Sequence, residues 1–237
     1  MEIRVTKSGS SGNNYAVITG NEILLIECGT TAKEMLNTID FAVKNVAGCI
    51  ISHGHNDHIG YAKDYIKYGF NLLMTEESRP AESPFISQKA LKRMHGNTVG
   101  RFVVIPFRVP HNETECDGFA VSHPDFGTLV FITDAEMCPH DLSKLGINHL
   151  LIECNYSDKY LNSDSPKLRH VVLGHMEKET CKRFIRKVNS DNLKTIGLIH
   201  LSKDGIDKQE AFDEITSEFP DKYVWIAERN ARMIWPE

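Results

Sequence analysis

No stretch of this chain approaches the roughly 20 apolar residues that a membrane span requires, so a transmembrane role is not expected. The N-terminus carries no apolar signal-peptide core, which points away from export and towards the cytoplasm. None of the six cysteines (Cys28, Cys49, Cys116, Cys138, Cys154 and Cys181) belongs to a CxxC pair. Without an export signal they are expected to be reduced, and buried cysteines behave as small apolar residues. An excess of basic charge is missing too. The net charge of −5 excludes a uniformly basic nucleic-acid coat, though not a local basic groove. No internal repeat and no long Gly/Ser- or Pro-rich linker divides the sequence. With 237 residues, 41% of them hydrophobic, the chain is expected to form one domain over 1–237 with a substantial core.

What is present is concentrated in His53-Gly54-His55-Asn56-Asp57-His58, three imidazoles and a carboxylate within six residues. Imidazole is easily held neutral near pH 7 and is the commonest metal ligand. An aspartate among histidines adds a hard anionic oxygen, a donor set suited to Zn²⁺, Mn²⁺ or Fe. The alternative is a polar turn that happens to be histidine-rich. Three of the chain's eleven histidines in one hexapeptide argue against it. Ala47-Gly48-Cys49-Ile50-Ile51 before the run reads as a buried strand. Ile59, Ala62, Tyr65 and Ile66 after it recur at helical spacing, so a helix is expected from about Asp57. The histidines then lie on a loop leaving the C-terminal end of a strand, where α/β proteins place their sites.

Elsewhere, Ile3–Thr6, Tyr15–Thr19 and Ile23–Glu27 read as strands, the last two joined at Gly20-Asn21, a hairpin cue. Ala32 to Val43 reads as a helix with Met35, Leu36, Ile39 and Val43 on one face. Leu72–Met74, Phe102–Phe107, Phe119–Ser122, Leu129–Ile132, Leu150–Glu153, Thr195–Ile199, Tyr223–Ile226 and Ala231–Trp235 are further strand candidates. Glu177 to Val188 and Gln209–Glu218 are expected to be helical. Ser8-Gly9-Ser10-Ser11-Gly12-Asn13 reads as a Gly-rich turn whose backbone N–H groups face an anion. Its spacing does not fit a nucleophile elbow, which removes serine-hydrolase chemistry. Periodicity alone supports an α/β class.

The His53–His58 run resembles the HxHxDH motif of the metallo-β-lactamase superfamily. That resemblance implies a four-layer αββα sandwich and two divalent metal ions, Zn²⁺ or Mn²⁺ with Fe or Ni as further choices. It implies that His53 and His55 bind one metal with a later histidine, here His111. Asp57 and His58 would bind the second with His200, and Asp134 would bridge the two. Asp134 and His200 each end an apolar run and so are expected at strand termini. The opening Ser-Gly-Ser-Ser-Gly-Asn, the Gly174-His175 step and His200-Leu201-Ser202-Lys203-Asp204 are similar to the YycJ/WalJ-like exonuclease branch. They are more distantly similar to the ribonuclease Z-like and cyclic phosphodiesterase branches. The similarity runs from about residue 2 to 205. Three departures stand out: Glu27-Cys28-Gly29 in place of Asp-x-Gly, Met176-Glu177-Lys178-Glu179 in place of a Ser-Asn-Glu pattern, and Tyr156 after Glu153-Cys154-Asn155 where histidine is common.

The implied function is metal-dependent hydrolysis of a phosphodiester in nucleic acid through a metal-bridging hydroxide, since paired divalent ions stabilise an in-line displacement. Asp57 and His175 are the catalytic candidates. His175, placed before a helix, is expected to protonate the leaving oxygen; the plainer reading is a strand-end histidine. His123 competes with His111 as the third ligand and is disfavoured because a hairpin tip generally points into solvent. His95, His140, His149 and His170 are expected at the surface or the core edge, and Cys138 is expected to fill space near the site. Lys203, Ser202 and Asn155 are the substrate-binding candidates, with Lys203 as a point charge for phosphate. Gln88-Lys89-Ala90-Leu91-Lys92-Arg93-Met94-His95 with Arg101 reads as a solvated helix face, or alternatively as a phosphate-backbone contact. A lactonase, a thioesterase and a cyclic phosphodiesterase remain open as other hydrolases of this fold, as does a non-catalytic metal-stabilised binding module.

Overall fold

The computed structural model describes residues 1–81, 90–161, 164, 166 and 168–235. The first half runs β1 (Glu2–Lys7), β2 (Asn14–Thr19), β3 (Glu22–Ile26), α1 (Ala32–Thr38), β4 (Val46–Ile50), α2 (Asn56–Ile59), α3 (Ala62–Lys67) and β5 (Leu72–Leu73). The second runs β6 (Asn97–Val99), β7 (Phe102–His111), β8 (Thr114–His123), β9 (Gly127–Ile132), β10 (His149–Glu153), α4 (Leu168–Gly174), α5 (Lys178–Val188), β11 (Thr195–Ile199), α6 (Lys208–Glu218), β12 (Tyr223–Ile226) and β13 (Arg232–Ile234). The strands form two sheets, ordered β13-β1-β2-β3-β4-β5 and β12-β11-β10-β9-β8-β7-β6. In each, antiparallel hairpins give way to parallel strands reached through helices.

Three apolar clusters make this a four-layer αββα sandwich. Ile3, Val17 and Leu24 of one sheet meet Phe119, Leu129 and Phe131 of the other between the sheets. Met35, Leu36 and Tyr65 of α1 and α3 cover the outer face of the first sheet. Cys181, Phe184, Ile185, Ala211 and Ile215 of α5 and α6 cover that of the second. Strands β10 and β11 have layers on both faces and are buried at every position, which is why they read as unbroken apolar runs.

Several expectations change at element ends. Helix α1 starts in a capping box between Thr31 and Glu34 but stops at Thr38, because Asp40 and Phe41 take positive φ (51° and 58°). The helix after the histidine run is two short pieces, α2 and α3. Strand β6 and helix α4 were not expected; both are short and lack clear periodicity. Gln88 and Lys89 of the basic segment lie outside the described residues. The remainder is no helix face: Arg93 turns inward, donating to buried Asp117 at 2.6 Å and pairing with Glu115 at 2.8 Å, and Arg101 lies 3.5 Å from Asp125. Two of its cations are therefore engaged by this chain's own carboxylates. No helix among the described residues is long and apolar enough to cross a membrane.

Candidate metal centre

The C-terminal ends of β3 and β4 in one sheet meet those of β7, β9, β10 and β11 in the other along one edge of the sandwich. Each of these ends delivers a polar side chain: Glu27 after β3, the His53–His58 loop after β4, His111 ending β7, Asp134 after β9, Glu153 ending β10, and His200 after β11. Glu27, Asp134 and His200 all hold positive φ (66°, 46° and 52°). Non-glycine residues adopt that region at a cost and rarely, so three at one edge mark backbone bent to aim side chains.

The donors form three groups that share Asp134: one with His53, His55 and His111, a second with Asp57, His58 and His200, and a third that joins Glu153 and His175 to His200. In the first, Nε2 of His53 and Nε2 of His111 lie 3.0 and 3.1 Å from Nδ1 of His55. Asp134 Oδ2 is 3.9 and 3.8 Å from the His53 and His111 nitrogens. In the second, Nε2 of His58 lies 3.4 Å from Asp57 Oδ2 and 3.3 Å from Asp134 Oδ1, and Nε2 of His200 lies 4.0 Å from Asp57 Oδ2. The opposite ring nitrogens are held from behind. Nδ1 of His53 faces Ser52 Oγ at 2.9 Å, and Nδ1 of His111 faces the Gly174 carbonyl at 2.6 Å. Glu27 Oε1 sits 3.3 Å from Nδ1 of His58, and Glu153 Oε1 sits 2.8 Å from Nδ1 of His200. For His53, His111 and His200 these partners fix tautomer and ring orientation, as metal-ligating histidines require, whereas Nδ1 of His58 faces Glu27 as an ion pair without a hydrogen bond.

The electrostatics call for cations. Glu27, Asp134 and Glu153 are buried, Asp57 is partly so, and among the described residues their ion pairs are all with histidines. Burial pulls the pKa of His58 down, but Asp134 and Glu27 outweigh it and hold the ring well above its ordinary value. Burial likewise opposes a proton on His200, yet Asp134 and Glu153 push its pKa up to about 10. Burial disfavours the charged form of Asp134, but His200 and His58 keep its carboxyl well below the usual range. His53 has the opposite balance: burial and its neighbour His58 hold its pKa well down, so it is neutral. Nε2 of His200 is buried with no hydrogen-bond partner, an arrangement that is costly unless something electrophilic faces it. Together with the Nε2 atoms of His53 and His111 within 3.1 Å of Nδ1 of His55, it fits a site built for divalent cations.

All seven ligand candidates are thus brought together. His175 joins them: its ring lies 5.2 Å from that of His200 and 5.6 Å from that of His111, and its Nδ1 is 2.8 Å from Glu153 Oε1. His123 is elsewhere, between Glu22 and Asp125. The solvent argument against it does not hold, because His123 is buried and His111 itself sits at a hairpin end. Of the other histidines, His95 is exposed and His140 half-buried, while His149 is buried against Thr195. His170 on α4 stands at the rim, its ring 5.6 Å from that of His175. Cys138 packs against the outer core of the second sheet.

The substrate-binding candidates divide. Asn155 is buried, and its amide donates to the His200 carbonyl at 2.8 Å, so it positions a ligand loop. Ser202 Oγ accepts from the Gly205 N–H, and Lys203 is exposed. In the Gly-rich turn, the Gly9 and Gly12 N–H groups are taken by Asn13 Oδ1 and the Gly9 carbonyl rather than free for an anion. The turn instead braces the site. Ser8 Oγ accepts from the His200 N–H at 2.8 Å, and the Asn13 amide lies 3.0 Å from Nε2 of His58. Glu153 was not singled out as a site residue. Its signals were an acid ending an apolar strand, as at Asp134, and its place in the Glu153-Cys154-Asn155 stretch that the resemblance points to.

Comparison with known proteins agrees with this geometry. Residues 5–66, which span β1 to α3 and the histidine run, match the family described as anti-Pycsar protein Apyc1. The exodeoxyribonuclease WalJ of Streptococcus pneumoniae is 27% identical over 226 residues, 87% of this chain and 84% of that protein. The exodeoxyribonuclease YycJ of Bacillus anthracis is 24% identical over 96% of this chain and 92% of its own length. Among solved structures, the metallo-β-lactamase fold protein YhfI of Bacillus subtilis superposes with a TM-score of 0.77 at 17% identity, covering 98% of this chain and 99% of that one. The chain has the metallo-β-lactamase fold, and over most of its length it is similar to the YycJ/WalJ exodeoxyribonucleases.

Proposed function

We propose that the chain is a metal-dependent phosphodiesterase that cleaves nucleic acid, as a DNA exonuclease of the YycJ/WalJ kind. The observation that carries this reading is the set of donor groups sharing Asp134, two built around the histidine run and a third that brings in the Glu153–His175 pair. His53, His55 and His111 would hold one ion, Asp57, His58 and His200 the second, and Asp134 both. The mixed nitrogen and oxygen donors suit Zn²⁺ or Mn²⁺. Bound there, two divalent ions would supply a nucleophilic hydroxide near neutral pH and offset charge on the phosphoryl oxygens.

The chain's own residues supply the rest. Burial opposes a proton on His175, but Glu153 outweighs it and raises the pKa above the ordinary value, which favours the protonated ring. Glu153 accepts from Nδ1 and fixes the ring, leaving the other nitrogen as a donor for the departing alkoxide. Asp57, partly open to solvent, orients His58 and stands where a substrate phosphate would arrive. Lys203, exposed beyond His200, offers a point charge to the nucleic-acid backbone. The six cysteines are free, which suits the reducing cytoplasm in which we place the protein.

The test is turnover by metal-reconstituted protein on 5′-labelled single- and double-stranded DNA, RNA, bis-p-nitrophenyl phosphate, a lactone and a thioester. DNA and phosphodiester turnover is expected. Lactone or thioester turnover without phosphodiester turnover overturns the reading, and metal binding without any turnover makes the chain a binding module.

A further inference from the structure

A cavity of about 400 Å³ lies between the loop after Asp134 and helix α5, and Tyr156 in its wall directly follows Asn155, which holds the His200 carbonyl. Glu136 and Met137 enter it two and three residues beyond Asp134, and Val172 and Glu177 flank His175 in the chain. Tyr156 and Phe184 are buried in its wall, whereas Met137, 45% exposed, is an apolar side chain left open to solvent. Arg183 and Lys187 line it from α5, one helical turn apart and both exposed.

The charges are unevenly committed. The Glu177 carboxylate caps α5, accepting from the N–H groups of Glu179 and Thr180. Lys187 lies 3.8 Å from Asp141, a half-exposed pair of little strength. Arg183 donates to Thr180 Oγ1 at 2.6 Å and has no ion pair among the described residues. In the neighbouring helix pair, by contrast, Lys178, Lys182 and Arg186 are matched to Glu210, Glu214 and Glu218. Arg183 is the cation of α5 left over on the face that meets the cavity.

We propose that this cavity is a nucleotide subsite, taking the nucleotide next to the scissile phosphate with its base against Met137, Tyr156 and Phe184 and its phosphate towards Arg183 and Lys187. The proposal rests on the phosphodiesterase reading above. The volume lies within the range of small-molecule sites, roughly 300–1,000 Å³. Aromatic and thioether walls accept the π-face of any base without demanding a sequence. Two cations one turn apart match a phosphate, and Glu136 adds an acceptor for an exocyclic amino group. An acyl chain would use the same walls but leave the cations without a purpose.

The test compares wild type with R183A/K187A and with the cavity-filling V172W. The substrates are a single-stranded DNA oligonucleotide, bis-p-nitrophenyl phosphate and a lactone. For R183A/K187A the oligonucleotide KM is expected to rise about tenfold and the salt dependence of binding to fall by about one to two phosphate contacts. V172W should lose oligonucleotide turnover more than twofold through KM. Bis-p-nitrophenyl phosphate has no flanking nucleotide, so its turnover and the metal content should stay within about twofold. Oligonucleotide kinetics unchanged in R183A/K187A overturn the subsite while leaving the nuclease reading intact, and that variant alters only exposed side chains should V172W fail to fold. A wild type that cleaves bis-p-nitrophenyl phosphate but no oligonucleotide overturns both. Loss of lactone turnover in either variant makes the cavity an acyl site and overturns the proposal.

Discussion

Oε1 of Glu153 lies 2.8 Å from Nδ1 of both His175 and His200, so one buried carboxylate oxygen orients both rings together. A change at Glu153 therefore reaches both histidines, whereas a change at His175 leaves the Glu153–His200 contact in place.

Replacing His175 with alanine should lower kcat by roughly 10²–10⁴-fold on an oligonucleotide, the range for general acid catalysis. The loss should shrink for p-nitrophenolate, which departs without a proton, and metal content should stay at the wild-type value. Equal losses on both leaving groups would make His175 a positioning residue, and a loss of metal would make it a ligand. Glu153→Gln should lower the pH of the alkaline limb, because the neutral amide no longer holds a proton on His175.

Asp134→Ala should reduce occupancy at both metal positions, as measured by elemental analysis, against two divalent ions per wild-type chain. Asp57→Asn keeps the shape but removes the anion, so the position shared with His58 and His200 should weaken more than the one shared with His53, His55 and His111. A wild-type stoichiometry that cannot be raised above one under metal-replete conditions contradicts the paired arrangement.

Stripping the metals should expose a pH dependence. His200 has its pKa raised from 6.5 to about 10 because Asp134 and Glu153 outweigh burial. The stability from its proton is complete below the unfolded value of about 6.5 and is lost as pH rises towards the folded value. The melting temperature of chelated protein should therefore fall between about pH 7 and pH 9.5, where holoprotein stays nearly flat. Metal binding should release protons in the same window, which titration in buffers of different ionisation enthalpy will show. A chelated protein that gains stability over that range would contradict the assignment.

Arg93→Ala leaves Asp117 buried without its guanidinium and should destabilise the fold by about 3 kcal/mol. Metal content and the salt dependence of oligonucleotide binding should not change. A reduced salt slope with unchanged stability would return Arg93 to the phosphate-contact role that the basic segment first suggested.

Much of the site was legible in the chain. The His53–His58 run is local, and its donor types announce metal chemistry wherever the loop folds. Asp134 and His200 were picked out by the resemblance, and their place at the end of apolar runs agreed with it, because a polar residue there leaves a buried strand at its end. His175 was marked by resemblance, not by physics, since nothing in its neighbours distinguishes it from a strand-end histidine. What only the tertiary structure decided depends on contacts between segments far apart in sequence. Glu153 became the shared partner of His175 and His200 only when β10 lay beside β11. Asn155 turned from a substrate contact into a brace because the His200 carbonyl arrives within 2.8 Å of it. Arg93 ceased to be a surface cation when Asp117 of β8 met it, and His111 prevailed over His123 because β7 and β8 run in opposite directions and carry the two histidines to opposite ends. A linear pattern records which groups a chain owns and which local geometry they prefer; burial and pairing across the sandwich determine which of them carry charge and face one another.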